Sequence, residues 1–201
     1  RRIRAGQACP GILALFAAAG RDPRSAGCAD LGYALGPRVN AAGRLEDITI
    51  GIECLLADDP AHAAQLAGQL DEINRTRREI EAGMREEAIA DAGTPDPGRR
   101  SLVVCRDGWH EGVIGLVASR LKELHHRPTI AFAAAAGEAG MLRGSGRSIP
   151  GVHLRDTLDL VSKRHPGLIA RFGGHAMAAG LSLPLGALDA FTEAFEHAIA
   201  E

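Results

Sequence analysis

The sequence predicts an α/β protein with a helical N-terminal segment, a long connecting helix and then a small mixed-sheet α/β domain. The helical pattern of apolar residues runs unbroken from residue 60 to about residue 92, which predicts one long helix. Beyond residue 99 the order is strand, helix, strand, which predicts a parallel strand pair with a right-handed crossover. The chain has 201 residues, 46% of them hydrophobic, which is enough for a buried core.

The N-terminal segment, residues 1–57, consists of short predicted helices separated by glycine and proline. These helices cover residues 10–19, 25–35 and 48–57. Gly36 and Pro37 are expected to end the second helix, because proline lacks the backbone N–H that a helix interior requires. Residues 38–44 are therefore predicted to form a loop with two arginines and an asparagine.

The connecting helix, residues 58–93, carries a line of apolar side chains on one side. They recur at spacings of three, four or seven, at Leu66, Leu70, Ile73, Ile80 and Met84. Charged side chains occupy the other faces, which favours a solvated connector. Residues 93–98 contain two glycines and two prolines, so the helix ends there and a domain boundary is predicted.

The last domain, residues 99–201, alternates strands and helices. Strands are predicted over residues 101–105, 129–133, 141–148 and 176–183, and helices over residues 112–126, 154–164 and 185–200. Ligands of such sheets bind beyond the carboxyl ends of the strands. The loop after the first strand, residues 106–112, is therefore a candidate site.

Charge is distributed unevenly along the chain despite a net charge of only -2. Residues 1–44 carry seven arginines against two aspartates, and residues 58–93 carry nine acids against four arginines. Residues 101–175 carry ten basic residues against six acids, whereas residues 176–201 carry four acids and neither lysine nor arginine. The basic segments fit a polyanionic partner and a solvated surface equally well.

The remaining composition predicts a cytoplasmic protein that does not enter a membrane. Four cysteines, at positions 9, 28, 54 and 105, form no Cys-x-x-Cys pair, so free thiols in a reducing compartment are expected. No apolar run approaches the roughly 18 residues of a membrane span. The chain begins at Arg1 without a methionine or a signal peptide, which predicts a piece of a longer protein.

Two glycine-flanked polar clusters, residues 144–148 and 171–175, have the composition of phosphate sites. Glycine lets an anion approach backbone N–H groups, and the arginine in each cluster can bind two phosphate oxygens at once. Glycine-rich turns are also common without any ligand. His175 is either buried against a backbone carbonyl or part of a ligand-facing loop.

The loop with Trp109 and His110 suggests binding rather than hydrolysis. Trp109 fits a packed core and stacking on a base equally well. A zinc motif of the type His-Glu-x-x-His would need a histidine at position 114, which is Ile114. The sequence also has neither a nucleophile elbow nor an aspartate cluster that suits a divalent metal.

Four segments together resemble the RecJ family of single-stranded-DNA exonucleases, in the DHH phosphoesterase superfamily. They occur in order over residues 35–45, 108–115, 144–148 and 172–180. The resemblance implies a nuclease that degrades single-stranded DNA from the 5′ end in repair and recombination. It also implies that residues 1–57 are the C-terminal part of the DHH catalytic domain and that residues 99–201 are the DHH-associated domain.

The resemblance further implies where DNA is held. Ser145 and Arg147 resemble the pocket for the terminal 5′ phosphate, and His175 has a supporting role beside it. The implied nucleic-acid contacts are Arg38, Asn40, Arg44, Trp109, His110, Gly144, Ser145, Gly146, Arg147, Ser148, Gly173, Gly174 and His175.

The metal of this family, Mn²⁺ or Mg²⁺, is implied to bind in the catalytic domain, through an Asp-His-His motif that this sequence lacks. No catalytic residue or metal ligand is therefore expected here, and the chain alone is predicted to be inactive. Single-stranded DNA with a 5′ phosphate is the implied partner, with single-strand-binding protein and a repair helicase as further partners. Two alternatives stay open: an oligonucleotide or cyclic-dinucleotide phosphodiesterase of the same superfamily, and a non-catalytic binding module.

Overall fold

A computed structural model describes residues 1–93 and 96–201 of the chain. They form two compact units, Arg1–Glu79 and Ile80–Glu201. The first unit is helical, and the second is built on a mixed β-sheet covered by helices. The predicted α/β class is therefore confirmed.

The first unit packs short helices around a small apolar core. The helices are α1 (Pro10–Ala18), α2 (Cys28–Asp30), α3 (Gly36–Leu45), α4 (Thr49–Leu56) and the first part of α5 (Pro60–Ala92). The core contains Leu15, Phe16, Leu35, Cys54, Leu66 and Leu70. The helices predicted over residues 10–19 and 48–57 are confirmed.

The predicted helix end at Gly36 and Pro37 is wrong. A π-helical turn, Leu31–Leu35, joins α2 to α3, so residues 38–44 are helical and not a loop. The N–H of Gly36 donates to the carbonyl of Leu31, five residues earlier. Pro37 then lies at the start of α3, directly after the π-helical turn, and the chain stays helical through it.

Helix α5 is a single helix of 33 residues, as its periodicity predicts. The division between the two compact units falls within it, between Glu79 and Ile80. The predicted boundary segment, residues 93–98, includes Thr94 and Pro95, which lie outside the described residues.

The second unit contains a five-stranded sheet in the order β1-β2-β3-β5-β4. The strands are β1 (Leu102–Cys105), β2 (Thr129–Ala134), β3 (Met141–Arg147), β4 (Arg171–Gly174) and β5 (Ala178–Pro184). β1 and β2 are parallel, as predicted, and the other neighbouring pairs are antiparallel. β4 was not expected from the sequence, because its two glycines resemble a turn.

Helices cover the two faces of this sheet unequally. Two helices, α7 (Leu154–Arg164) and α8 (Leu188–Ala200), enclose the main core against one face, with Ile130, Phe132, Leu142, Leu181 and Phe191. Helix α6 (Ile114–His125) packs against β2 and β3 on the other side. On that side the part formed by β5 and β4 stays open, since Gly180 and Gly173 are exposed there.

None of the described helices is long and apolar enough to cross a membrane.

Candidate functional site

Ser145 and Arg147 lie two residues apart on β3, so their side chains share the face that α6 covers. The guanidinium of Arg147 donates from Nη1 to Ser145 Oγ at 3.1 Å and to the carbonyl of Gly146 at 2.8 Å. Ser145 accepts this bond, and its hydroxyl hydrogen can therefore point to another acceptor. A cation and a hydroxyl donor thus lie side by side.

The first turn of α6 approaches the same two side chains. A Cβ added to Gly115, the second residue of α6, would lie 2.8 Å from Arg147 Nη2 and 2.9 Å from Ser145 Oγ. A Cβ here would force Arg147 or Ser145 to shift, so glycine lets the helix approach both side chains closely. The helix N-terminus therefore adds its partial positive charge to that of Arg147, which favours an anion at this point.

A flat row of small residues continues from Ser145 across the open part of the sheet. Ser145 pairs with Gly180 on β5, and Gly180 pairs with Gly173 on β4. A Cβ at Gly173 would meet nothing within 4 Å, and the nearest atom to one at Gly180 would be the carbonyl oxygen of Gly144, at 3.9 Å. Neither glycine has a positive φ. Since neither the backbone nor the packing requires glycine here, the row is a surface kept free of side chains.

The turn between β4 and β5 flanks this row on one side, where the two strands are connected. The N–H of His175 donates to the carbonyl of Ala178 at 2.8 Å, and the N–H of Ser148 donates to Met177 at 2.9 Å. His175 is exposed, so its imidazole is accessible and not buried. Gly174 has a φ of 149°, and a Cβ there would collide with Ala178, which explains this glycine by the fold alone.

An ion-pair network flanks the row on the other side, two residues along the same strands. The carboxylate of Glu138 accepts two hydrogen bonds from Arg171, at 2.7 and 2.8 Å, and lies 3.7 Å from Arg143. Arg143 also lies 3.7 Å from Glu111 and donates to Ser182 Oγ at 3.2 Å. The two arginines on this side are thus balanced by two carboxylates.

His110 lies in the loop that leads into α6. Its Nδ1 accepts a hydrogen bond from the N–H of Gly112 at 3.1 Å, which assigns the ring hydrogen of the neutral imidazole to Nε2. The side chain is half-buried. It can offer one N–H donor to a ligand near the start of α6.

Trp109 is a core residue, which settles the choice that the sequence left open. The residue is 6% exposed, and its indole N–H donates to the carboxylate of Glu87 at 2.8 Å. Its ring is therefore not available to stack on a base, and the structure does not offer Trp109 to DNA.

Three other predicted contact residues on or beside β3 have structural roles. Ser148 is 1% exposed, and its hydroxyl donates to the carbonyl of Val152 at 2.8 Å. Gly144 and Gly146 face the core, where a Cβ would press on Phe132 in the first case and Leu154 in the second. β3 is paired on both sides, so the prediction that this cluster exposes its backbone N–H groups is also wrong.

The predicted contacts of the first unit all lie on α3. Arg38 is held within this unit, since Nε donates to Asp71 Oδ1 and Nη1 to the carbonyl of Ala34, at 2.8 and 2.7 Å. Its side chain is only 11% exposed, so the structure does not offer it to DNA. Asn40 is exposed and Arg44 half-buried, and their spacing of four places them on one side of α3.

The described residues do not fit a divalent metal. Residues 1–93 and 96–201 contain no group of three or more histidine, cysteine or acidic side chains that could hold one. The thiols of Cys54 and Cys105 also do not suit a nucleophile. Burial, with smaller contributions from the charges of Cys9 and Asp107, raises the pKa of Cys54 and Cys105 respectively.

Three residues of this site were missed by the sequence analysis as functional candidates: Gly115, Gly180 and Arg143. Gly115 could have been found as a glycine in the first turn of a predicted helix, where the helix N-terminus approaches another element. Gly180 and Arg143 depend on strand register, which the sequence does not specify.

Comparisons with known proteins agree with this architecture. The family model of the DHHA1 domain matches residues 99–201, about half of the chain. The single-stranded-DNA-specific exonuclease RecJ of Dickeya dadantii is 50% identical over 204 residues, which cover 100% of this chain and 35% of that protein. The chain therefore spans about a third of the length of this relative.

Solved structures of a RecJ protein have the same fold. Thermus thermophilus RecJ in complex with Mg²⁺ matches 98% of this chain and 29% of its own, with a TM-score of 0.84 and 28% identity. The structure of the same protein in complex with Mn²⁺ has the same TM-score and sequence identity, and the match covers 98% of this chain and 28% of the other chain. The chain belongs to the DHHA1 domain family and is homologous to RecJ over its whole length.

Proposed function

We propose that this chain positions single-stranded DNA for an exonuclease that acts from the 5′ end, and that Ser145, Arg147 and the first turn of α6 bind the terminal 5′ phosphate. The observation that carries the proposal is the convergence of three anion-binding elements: a guanidinium, a hydroxyl and a helix N-terminus. The relative from Dickeya dadantii bears the name of a single-stranded-DNA-specific exonuclease, which supports DNA as the source of the phosphate.

The glycine row supports a nucleotide rather than a free phosphate. Gly180 and Gly173 provide a surface without side chains that extends from Ser145 for two strand spacings, roughly 10 Å. This length suits a sugar and base that follow a bound phosphate. The exposed His175 and the N–H donor of His110 are proposed to contact the adjoining backbone, and Asn40 and Arg44 remain proposed contacts of the first unit.

The metal chemistry of the whole enzyme is proposed to come from residues other than those described. Thermus thermophilus RecJ has been solved with Mg²⁺ and with Mn²⁺, which supports either metal as the cofactor of the whole protein. Residues 1–57 are proposed to be the end of the catalytic domain and residues 58–93 its connector. Single-strand-binding protein and a repair helicase are proposed partners, in the cytoplasm.

Binding of oligonucleotides to the chain tests the proposal. A single-stranded oligonucleotide with a 5′ phosphate should bind more tightly than the same oligonucleotide with a 5′ hydroxyl or than a blunt duplex. Binding should be weak and should decrease with salt, with a slope of about -0.7 per phosphate neutralised. Equal affinity for all three probes would contradict the proposal, and fluorescence anisotropy measures it.

Gly180→Ala should weaken DNA binding without harming the fold. The added methyl group has space in the protein, and alanine is favoured over glycine in a strand by about 0.5–1 kcal/mol, so the free energy of unfolding should stay equal or rise. The methyl group would nevertheless stand on the nucleotide surface, and affinity for the phosphorylated oligonucleotide should fall about tenfold, the effect of a misfit of roughly 1.4 kcal/mol.

Gly186→Ala is the matched control for this substitution. Gly186 also has nothing within 4 Å of an added Cβ, and it lies in the turn before α8, away from the row. The control should leave both stability and affinity near the values of the unmodified chain. If Gly180→Ala binds DNA as tightly as Gly186→Ala, the glycine row is not part of the DNA surface.

A further inference from the structure

The outer edge of β1 carries unpaired backbone groups. β1 is the first strand in the sheet order, so β2 is its only neighbour among the described strands. The N–H of Leu102 donates to the carbonyl of Pro128 at 2.9 Å, towards β2. Backbone groups alternate in direction along a strand, so those of Val103 and Cys105 point outwards. The edge thus offers donors and acceptors to a further strand.

Among residues 1–93 and 96–201, hydrogen bonds to this edge are made at its start. Glu196 on α8 accepts hydrogen bonds from the N–H groups of Arg100 and Ser101, at 2.6 and 2.9 Å. The carboxylate of Glu196 therefore accepts the hydrogen bonds that a neighbouring strand would otherwise accept from Arg100 and Ser101. The outward backbone groups of Val103 and Cys105 have no such partner among the described residues.

A groove made of two adjoining cavities lies along this edge. Two cavities of about 410 and 390 Å³ share Arg99, Ser101, Leu102 and Val103. The end of α5 forms one wall with Asp91, and α8 forms the other with Thr192. β1 has four residues and is therefore roughly 13 Å long, which is room for an extended segment of similar length.

The groove has an excess of negative charge. Its lining contains four carboxylates and two guanidiniums, from Asp91, Asp96, Asp189, Glu193, Arg99 and Arg127. Arg99 pairs with Glu193, and Arg127 donates to the carbonyl of Asp96. Arg106, beside the lining, lies 3.6 Å from Asp91, so the four carboxylates exceed the guanidiniums by one. A second copy of this chain would bring the same excess of carboxylates, so like charges would meet. A basic segment is the complementary occupant.

We propose that the edge of β1 binds an extended, basic segment of a partner protein by strand addition. The backbone of the segment would pair with Val103 and Cys105, and its lysine or arginine side chains would reach the carboxylates of the groove walls. The groove lies at the β1 edge, whereas the glycine row lies on β5 and β4 at the opposite edge of the sheet. Both surfaces can therefore be occupied at once.

A designed peptide pair and a proline variant test this proposal. The probes are fluorescein-labelled acetyl-Lys-Val-Lys-Val-Lys-Val-amide and its counterpart with glutamate in place of lysine. The basic probe should bind about tenfold more tightly, and the amide NMR signals of Val103 and Cys105 should shift on its addition. Val103→Pro removes one outward N–H, leaves the pairing with β2 intact and should weaken binding about tenfold.

Val103→Ala is the matched control, because it shortens the side chain and retains the N–H. It should bind the basic probe nearly as the unmodified chain does. If Val103→Pro folds poorly, a double variant with Asp91→Asn and Asp189→Asn provides the second test. This variant should no longer bind the lysine probe more tightly than the glutamate probe. The proposal is overturned by equal affinity for the two probes, by unshifted Val103 and Cys105 signals, or by self-association of the chain that Val103→Pro removes.

Discussion

Arg147→Ala should lower the affinity of this chain for a 5′-phosphorylated single strand about ten- to hundredfold. The guanidinium is the only full positive charge among the three elements that converge on the proposed phosphate site, and a charge-assisted hydrogen bond contributes about 1.5–3 kcal/mol. The same substitution also removes the bond that orients the Ser145 hydroxyl. Affinity for the 5′-hydroxyl oligonucleotide should change much less, because that probe lacks the dianion at its end.

Arg155→Ala controls for the loss of charge alone. Arg155 lies on α7, on the opposite side of the sheet, and is half-exposed beside Asp156. Its removal should weaken binding of both oligonucleotides slightly and equally, through the general electrostatic attraction. A preference for the 5′ phosphate that survives in Arg147→Ala would remove this residue from the phosphate site.

Glu196→Gln should destabilise the second unit at pH 7. The Glu196 carboxylate accepts hydrogen bonds from the backbone N–H groups of Arg100 and Ser101 and from the Ser101 hydroxyl, and thereby ties α8 to the start of β1. Since Glu196 is half-buried and water replaces part of these bonds, the expected loss is about 1.5–3 kcal/mol, the value of one charge-assisted bond rather than three. Urea unfolding of both proteins measures it.

The effect of Glu196 should depend on pH in a defined direction. Burial raises the pKa of this carboxyl, but the hydrogen bonds from Ser101 and Arg100 and the charge of Arg99 outweigh burial and lower it overall. A group whose pKa is lowered by folding stabilises the protein above its unfolded pKa, and this contribution is lost as the pH falls through the folded value. The difference between the unmodified chain and Glu196→Gln should therefore shrink in acid.

Glu193→Gln is the control for this prediction. Glu193 lies on the same helix and pairs with Arg99, but both side chains are exposed, so its loss should destabilise the protein much less than the loss of Glu196. If the two variants are equally stable at pH 7, or if the loss in Glu196→Gln does not diminish in acid, Glu196 does not hold α8 to β1 in this way.

Most elements of the second unit could be predicted because their signals are local. The periodicity of α6 and α7 and the apolar runs of β1 and β2 specify helix and strand without reference to the rest of the chain. β4 could not be predicted from a local signal. Its sequence resembles a turn, and it forms a strand because it pairs with β5. Pro37 likewise resembles a helix end, and only the π-helical turn before it shows why the helix continues.

The candidate site was predictable in its chemistry but not in its geometry. The sequence places Ser145 and Arg147 two residues apart on a predicted strand, so their side chains lie on the same face. It does not indicate that Gly144 and Gly146 are glycines because the core lies beneath them, or that Trp109 is fixed by Glu87. Glycines on the core face of β3 serve packing, whereas the glycines of the proposed DNA surface lie on β4 and β5, and only the register of the sheet distinguishes the two sets.

Amide chemical shifts in the ¹⁵N-labelled chain test the central claim most directly. Titration with a single strand of about six nucleotides, with and without a 5′ phosphate, should locate the bound end. We expect the phosphate to produce the largest additional shifts at Gly115, Ser145 and Arg147, with shifts at Gly180 and Gly173 for both oligonucleotides. Identical shifts for the two oligonucleotides, or changes confined to other parts of the chain, would contradict a 5′-phosphate site at the first turn of α6.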